Sequence, residues 1–317
     1  MMQYIIKSIK KSKNIAIFSH RNPDPDAIGS ALALFHVLKK MGKNVSLFCD
    51  DEGNENYAFL EGYEEYNKSD LTGVELFISI DVASGELLGK FEEPFKKFDN
   101  TVKIDHHSSG GNFAKHSLVK NYSACAIVVY ELLKNMKAKI DKNIATCLYF
   151  GICGDTGIFK NNNTDSKTFL VCADLLDSGA DYRKVYSEFF EKRTLENLYL
   201  TSNAIMTAYV NDEQKFSIMT VSSDDYDKFG ANENEHLGNL PHSFLNCGHK
   251  ISVILKQKKD GIHCSFRSKF EYDVSKIAEK FGGGGHKNAS GCLIIDSLSN
   301  AEKLVIEAVK NYLKENN

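Results

Sequence analysis

Short apolar runs alternate with segments of helical periodicity along the first half of the chain. Residues 15–18, 44–49, 76–80 and 101–104 are mostly apolar and have the length of buried strands. After the first run, residues 27–41 carry apolar side chains at helical spacing, which predicts an amphipathic helix. Strands that alternate with helices indicate a doubly wound, mainly parallel α/β sheet.

Helical patterns dominate the middle of the chain. Ser123 is a candidate cap for a helix that runs to about residue 137, and residues 142–153 predict another helix. Asp165 precedes a third, over residues 167–176. From residue 181 to residue 209 apolar side chains keep helical spacing with little interruption, so a helical linker is expected here.

The last third of the chain returns to strand patterns, at residues 215–221, 249–255 and 263–268, with helical patterns at 274–281 and 301–313. The predicted fold is therefore an α/β chain of two domains. The first occupies residues 1–188, the helical linker residues 189–210, and a smaller α/β domain residues 211–317. We expect the active site in the cleft between the domains.

Acidic and histidine residues follow four of the apolar segments. They are His20, Asp24 and Asp26, then Asp81, then Asp105, His106 and His107, and finally Asp155. One such end is ambiguous, because residues 22–25 also suit a turn and Asp26 also suits a helix cap. Four such ends favour a dinuclear metal centre, since ligands gather at the carboxyl ends of parallel strands. Carboxylates with imidazoles suit Mn²⁺ or Mg²⁺ better than thiol-bound zinc.

A glycine run near the C-terminus predicts a second functional segment. Residues 282–285 are all glycine and are expected to form a turn after a helix, where backbone N–H groups can approach a phosphate closely. A bare glycine run is more often only a flexible loop. Here His286 and Lys287 follow it, and Arg267 on a predicted strand can hold a phosphate with two hydrogen bonds.

Composition bounds the class of protein. The chain has 317 residues, 42% hydrophobic, enough for two folded domains. Its 39 basic residues against 42 acidic ones give a net charge of -3, which offers no general attraction to long nucleic acid. Eight cysteines include no CxxC pair, so we expect buried free thiols in a reducing compartment. We also expect no secretory signal and no membrane span, hence a cytoplasmic protein.

The motifs resemble those of the DHH phosphoesterase superfamily. The triplet Asp105-His106-His107 gives that family its name, and His20-x-x-x-Asp24-x-Asp26, Asp81 and Asp155 are similar to its other motifs in the same order. Residues 266–268 and 282–291 resemble the DHH-associated substrate domain. The resemblance covers nearly the whole chain, and its nearest group is the standalone nanoRNase and pAp phosphatases.

This resemblance implies roles for individual residues. One cation would be held by His20, Asp24 and Asp81, and a second by Asp26, Asp81, His106 and Asp155, with Asp81 as the bridge. The implied metal is Mn²⁺, with Mg²⁺ or Co²⁺ as alternatives. His107 would orient a phosphate oxygen or protonate the leaving group, or else support Asp81 or Asp105, while Asp105 would orient His106. The implied substrate contacts are Arg267, Gly283, Gly284, Gly285, His286 and Ser290.

The implied activity is two-metal hydrolysis of short single-stranded RNA to 5′-mononucleotides, together with dephosphorylation of pAp to AMP. A phosphodiesterase for pApA or cyclic dinucleotides is the enzymatic alternative, and a non-catalytic nucleotide sensor is the alternative of another class. Long duplexes and membranes are not expected partners, and a homodimer stays open. The chain departs from the family pattern at residues 124–126, which are Ala-Cys-Ala where polar residues are expected, and at His242, where Arg is frequent.

Overall fold

The computed structural model describes residues 1–51, 53, 55–107, 111–233, 237 and 240–316. The chain forms two compact units, Met1–Lys192 and Arg193–Asn317. No helix in these described ranges is long and apolar enough to cross a membrane.

The first unit is built on a wholly parallel sheet of five strands. They are β1 (Asn14–Phe18), β2 (Asn44–Phe48), β3 (Leu76–Ile80), β4 (Thr101–Asp105) and β5 (His116–Val119). Their order across the sheet is β2-β1-β3-β4-β5. The sequence pattern predicted the first four. It missed β5, which is only four residues long and begins with His116 and Ser117.

The described residues of this unit form the α-helices α1 (Met2–Lys11), α2 (Pro25–Lys40), α3 (Glu92–Lys97), α4 (Cys125–Asn135), α5 (Lys142–Asp155), α6 (Ser166–Asp177) and α7 (Tyr182–Val185). Single 3-10 segments span Glu55–Tyr57, Tyr63–Glu65 and Gly85–Phe91. Asp165 caps α6 as predicted. The expected cap of α4 is wrong, because Ala124 occupies that position and Ser123 instead hydrogen-bonds the Thr168 hydroxyl.

Apolar side chains cover the sheet on both faces, as a doubly wound fold requires. On β1, Ile15 and Ile17 pack into the larger core with α2, α4 and α5, whereas Ala16 and Phe18 pack into a smaller, phenylalanine-rich cluster on the other face. This alternation follows from the two-residue period of a strand.

Helices α2 and α5 approach each other closely because glycines line their contact. A Cβ atom on Gly29 would lie 2.3 Å from the carbonyl oxygen of Cys147, and one on Gly154 would lie 2.5 Å from the Cβ of Pro25. Neither position accepts a side chain without movement of a helix. The close packing brings the first turn of α2 next to the last turn of α5, where Asp155 lies.

The expected uninterrupted helix over residues 181–209 is wrong in detail. A π-helical turn, Tyr186–Glu191, follows α7. After Lys192, whose backbone is extended, α8 (Leu195–Met206) begins with Thr194 as its cap, and a strand starts at Tyr209. The sequence keeps a helical apolar pattern across this interruption because α7 and α8 each bury apolar residues, such as Val185 and Leu200.

The second unit contains a mixed sheet of six strands. They are β6 (Tyr209–Asn211), β7 (Phe216–Val221), β8 (Ile251–Lys258), β9 (Gly261–Ser268), β10 (Gly284–His286) and β11 (Ala289–Ile294), in the order β10-β11-β9-β8-β7-β6. Only β7 and β8 pair in parallel. Besides α8, its helices are α9 (Ser223–Phe229), α10 (Leu240–Asn246), α11 (Ser275–Glu279) and α12 (Leu298–Glu315). The sequence pattern missed the short α9 and α10.

The glycine run forms the predicted turn only at its start, where Gly282 lies in a turn after α11. Gly284 and Gly285 belong to the edge strand β10, which pairs antiparallel with β11. A Cβ on Gly283 would lie 2.2 Å from the carbonyl oxygen of Gly291, so glycine is needed there for close backbone packing. Gly282 and Gly285 have positive φ values of 72° and 140°, which only glycine adopts at low cost.

Candidate metal centre

The predicted ligands converge at the carboxyl edge of the parallel sheet. Two groups have ligand atoms within 4.8 Å of one another: His20, Asp24 and Asp81 form the first, and Asp26, His106 and Asp155 form the second. Asp81 also belongs to a third group, with Asp105, His106 and His107. In the sheet β2-β1-β3-β4-β5 the order of the strands reverses between β1 and β3, and parallel sheets bind ligands at the carboxyl ends of the strands beside such a switch point.

Backbone carbonyls orient both predicted histidine ligands. His106 Nδ1 lies 3.0 Å from the carbonyl oxygen of Tyr122, and His20 Nδ1 lies 2.9 Å from that of Arg21. A carbonyl only accepts hydrogen bonds, so each Nδ1 carries a proton, and in the neutral ring Nε2 is then the nitrogen that has the lone pair. His106 Nε2 points at Asp155 Oδ2, 3.1 Å away, and at Asp81 Oδ1, 3.5 Å away.

Asp26 is fully buried and joins the cluster to helix α4. Its carboxylate accepts hydrogen bonds from the backbone N–H groups of Cys125 and Ala126, and from the hydroxyl of Ser30 at 3.1 Å. Residues 124–126 lack polar side chains, so Asp26 supplies the cap that α4 does not provide for itself. Asp24 caps α2 in the same way, accepting from the N–H groups of Asp26 and Ala27 at 3.0 Å each.

Asp81 has an unusual backbone conformation directly after β3. Its φ of 58° lies in the left-handed region, which is costly for a residue with a side chain. The side chain is buried, and Oδ1 has no hydrogen-bond partner among the residues that the structure describes. A strained residue that holds an unpaired buried oxygen is typical of a functional site.

The charges of the cluster fit a bound cation. Burial, and then repulsion from neighbouring carboxylates, raises the pKa of Asp26 to about 6 and that of Asp155 to about 9. The same causes raise the pKa of Asp81 well above its usual range. Like Asp81 Oδ1, His106 Nε2 is buried and has no hydrogen-bond partner within the described part of the chain. Oxygen and imidazole atoms that repel one another or lack partners are those that a divalent cation would hold, so these residues are positioned to bind metal.

Asp105 makes a different contact from the one expected of it. Its Oδ1 accepts from His107 Nδ1 at 2.8 Å and from the backbone N–H of His106 at 2.7 Å. The carboxylate therefore orients the ring of His107, while Tyr122 orients the ring of His106. The hydrogen bond that His107 donates to the Asp105 carboxylate raises the pKa of His107.

The sequence pattern missed the cation that balances Asp105. Lys103, on β4, is buried, and its Nζ lies 3.0 Å from Asp105 Oδ2. The available signal was a lysine inside an otherwise apolar strand. Neither Tyr122 nor Ser30 left a comparable signal, since one contributes only its backbone carbonyl and the other lies within a helix.

The predicted substrate residues all lie in the second unit, on two faces of its sheet. The strand register aligns His286, Ala289, Arg267 and Ser252 in one lateral row, so Arg267 and His286 share a face with the small Ala289 between them. Arg267 Nη1 donates to the Phe266 carbonyl at 2.9 Å, and burial lowers its pKa. Ser290 pairs with Phe266 instead, is buried, and donates to the Val274 carbonyl at 2.8 Å.

Comparison with protein families places the chain in a known class. The model of the DHH family, N-terminal domain, matches residues 14–152, and that of the DHHA1 domain matches residues 226–315. The chain therefore carries a DHH-type N-terminal domain followed by a DHHA1 domain.

Individual relatives match nearly the whole chain. It is 26% identical to the bifunctional oligoribonuclease and PAP phosphatase NrnA of Bacillus subtilis, over 93% of each protein. It is 29% identical to the protein of the same name from Thermus thermophilus, over 94% of this chain and 90% of the relative. Among solved structures, an exopolyphosphatase-related protein from Bacteroides fragilis shares the fold, with a TM-score of 0.90 at 22% identity over 99% of this chain and 96% of its own.

Proposed function

We propose that this protein is a metal-dependent phosphohydrolase that cleaves short single-stranded oligoribonucleotides to 5′-mononucleotides and removes the 3′-phosphate of pAp. The convergence of histidine and aspartate ligand atoms at one buried edge of the sheet carries the proposal. The names of the full-length relatives support the choice of substrates.

The proposed centre holds two divalent cations. His20, Asp24 and Asp81 would bind one, and Asp26, Asp81, His106 and Asp155 the other, so that Asp81 is shared. Mn²⁺ suits this set, since it accepts imidazole as well as carboxylate ligands. Bound cations would activate the attacking water and neutralise charge on the phosphate.

His107 is the proposed proton donor, or contact to a phosphate oxygen. Its Nδ1 is fixed by Asp105 at 2.8 Å, which leaves Nε2 available, and the imidazole side chain is 41% exposed. Because the carboxylate raises the pKa of His107, the ring retains a proton more readily than a free histidine does. The leaving oxygen of a nucleotide needs such a proton when the P–O bond breaks.

In the second unit, Arg267 and His286 would bind a terminal phosphate of the substrate. They share one sheet face, on which the guanidinium can make two parallel hydrogen bonds to phosphate oxygens. Gly283 and Ser290 would support the shape of this segment and would not contact the substrate, since backbone and core atoms surround them.

Turnover of a substrate panel with Mn²⁺ tests the proposal. The panel contains pAp, pApA, RNA from dinucleotide to pentanucleotide, c-di-AMP and pyrophosphate. We expect release of mononucleotides from the short RNAs and AMP from pAp. Hydrolysis of c-di-AMP alone would replace the proposal by the cyclic-dinucleotide alternative, and tight binding of pAp without turnover would favour a sensor.

Removal of the phosphate contacts separates capture from chemistry. In Arg267→Ala and His286→Ala we expect a higher KM for pAp, while a chromogenic phosphodiester without a second phosphate should be hydrolysed nearly as before. Lys303→Ala, an exposed charge on α12, is the control. An equal loss on both substrates would mean that these residues do not act through the second phosphate.

A further inference from the structure

Lys103 is a buried cation to which the proposed chemistry assigns no role. It lies in the middle of β4, and its side chain is 4% exposed, beside an Asp105 side chain that is 0% exposed. An ammonium group is costly to bury unless it is paired and hydrogen-bonded. A buried lysine beside the candidate metal centre therefore needs a structural or functional explanation.

The ammonium connects two strand ends. Lys103 Nζ donates to the carbonyl oxygen of Ala83 at 2.8 Å and lies 3.0 Å from Asp105 Oδ2. It also lies 5.2 Å from the ring centre of Phe113, close enough for a cation–π contact. Ala83 is two residues beyond Asp81, so the lysine joins the segment after β3 to Asp105, the last residue of β4.

The carboxylate of Asp105 contacts both Lys103 and His107. One carboxylate oxygen faces Lys103, and the other accepts from His107 Nδ1 at 2.8 Å and from the His107 backbone N–H at 3.3 Å. The backbone N–H of His106 also donates to Oδ1, at 2.7 Å, so these donors hold one oxygen while the Lys103 ion pair holds the other, and together they fix the rotation of the carboxylate. Without Lys103, Oδ2 would lose its charged partner, and the carboxylate could turn away from the imidazole.

We infer that Lys103 is a positioning residue for His107, acting through the carboxylate of Asp105. The inference rests on the proposed function, because it matters for turnover only if His107 contacts the substrate. The contacts of the Lys103 ammonium are the Ala83 carbonyl, Asp105 and the Phe113 ring, and none of these is a predicted metal ligand or substrate contact. Removal of the ammonium should therefore lower kcat and leave KM and cation affinity nearly unchanged.

The decisive variant is Lys103→Met, which keeps most of the apolar stem and removes the ammonium group. With pAp and Mn²⁺ we expect kcat to fall between about tenfold and a hundredfold, the usual effect of losing a group that orients a functional side chain. KM and the calorimetric affinity for Mn²⁺ should change less than about threefold, since no ligand is lost. Lys97→Met removes an exposed ammonium paired with Glu93 at 3.2 Å and serves as the matched control.

A double-mutant cycle separates positioning from general support of the fold. In a His107→Ala background, Lys103→Met should have little further effect on kcat, because the group that it orients is already absent. The same fold-loss in both backgrounds would overturn the inference. If Lys103→Met does not fold, Lys103→Gln, which keeps a hydrogen-bond donor, takes its place. If neither variant folds, Lys103 serves the fold and the inference fails.

A spectroscopic readout needs neither substrate nor metal. Nitrogen-15 NMR of the metal-free protein should show the His107 imidazole with its proton held at Nδ1 in the wild type and a changed ring-nitrogen signal in Lys103→Met. An unchanged signal would contradict the inference. If the wild-type protein turned over neither pAp nor short RNA, the proposed function would fail, while this NMR result would still report on the contact.

Discussion

At the scale of single residues, the candidate site depends on which side-chain atoms already form hydrogen bonds within the protein and which are left to bind a cation. Carbonyl oxygens hold Nδ1 of His20 and of His106, so the Nε2 atoms stay free for a cation. Asp26 has two roles. It is a proposed metal ligand, and its oxygens also accept hydrogen bonds from the first backbone N–H groups of α4. Asp81 keeps one buried oxygen without a hydrogen-bond partner.

Asp81 is expected to be the least replaceable ligand. Asp81→Ala removes the carboxylate that both proposed cations share and that offsets their mutual repulsion. In the metal-free protein the substitution also removes the repulsion between this buried carboxylate and its acidic neighbours. We therefore expect loss of Mn²⁺ binding by calorimetry and loss of turnover, with the cooperative thermal transition retained. Asp99→Ala, an exposed aspartate near the start of β4, is the control. Turnover above about a tenth of the wild-type rate, roughly 1.4 kcal/mol of lost transition-state stabilisation, would contradict a bridging role.

The metal-free protein should become less stable as the pH rises. The folded-state pKa of Asp155 is raised from 3.8 to about 9, so between these values the folded protein binds more protons than the unfolded chain. The free energy of unfolding then falls with increasing pH over this window. Asp155→Asn has no such proton to lose, and we expect a weaker pH dependence of its melting temperature in the presence of chelator. Identical pH profiles for the two proteins would show that Asp155 does not retain its proton.

At the scale of secondary structure elements, the ends of strands and helices create the site. β1, β3 and β4 end at the same edge of the sheet, and Asp155 reaches it from the last turn of α5. The glycine contacts between α2 and α5 allow this approach. The site is therefore an outcome of element packing as much as of its ligands.

Two neighbouring glycines distinguish packing from substrate contact in the second unit. Gly283→Ala forces a Cβ to 2.2 Å from the Gly291 oxygen and 2.5 Å from the Cys292 Cβ, whereas a Cβ on Gly284 meets no atom within 4 Å. We expect Gly283→Ala to destabilise the protein by about 1–3 kcal/mol in urea unfolding. Gly284→Ala should be nearly neutral for stability, so any rise in its KM for pAp would report on the substrate. Equal stability of both variants would contradict this packing.

At the scale of the whole molecule, charge limits the length of substrate that the protein holds. The net charge of -3 offers no general attraction to a long polyanion. Few phosphates would be neutralised, so few counterions would be released and binding should depend weakly on salt. The proposed function therefore implies steep discrimination against long RNA.

Rates on a trinucleotide and on a single-stranded RNA of about 24 nucleotides test this limit. We expect the trinucleotide to be cleaved much faster, with a shallow dependence of kcat/KM on salt. Equal rates and a steep salt dependence would indicate a nuclease that tracks along many phosphates, and would contradict the proposed substrate class.

The sequence by itself determined the ligand types, most of the strands and the class of the fold. Each depends on local information, namely strand periodicity, cap residues and the acids or histidines that follow apolar runs. Only the tertiary structure decided which atoms meet. It fixed the edge strand β10, the cap that Asp26 gives to α4, the tautomers of His20 and His106, and the ion pair between Lys103 and Asp105. The edge strand and the cap depend on pairing with another backbone segment, and the tautomers depend on backbone carbonyls. The ion pair depends on how two side chains of one strand turn within the buried protein. The pattern of side chains along the chain does not encode any of these.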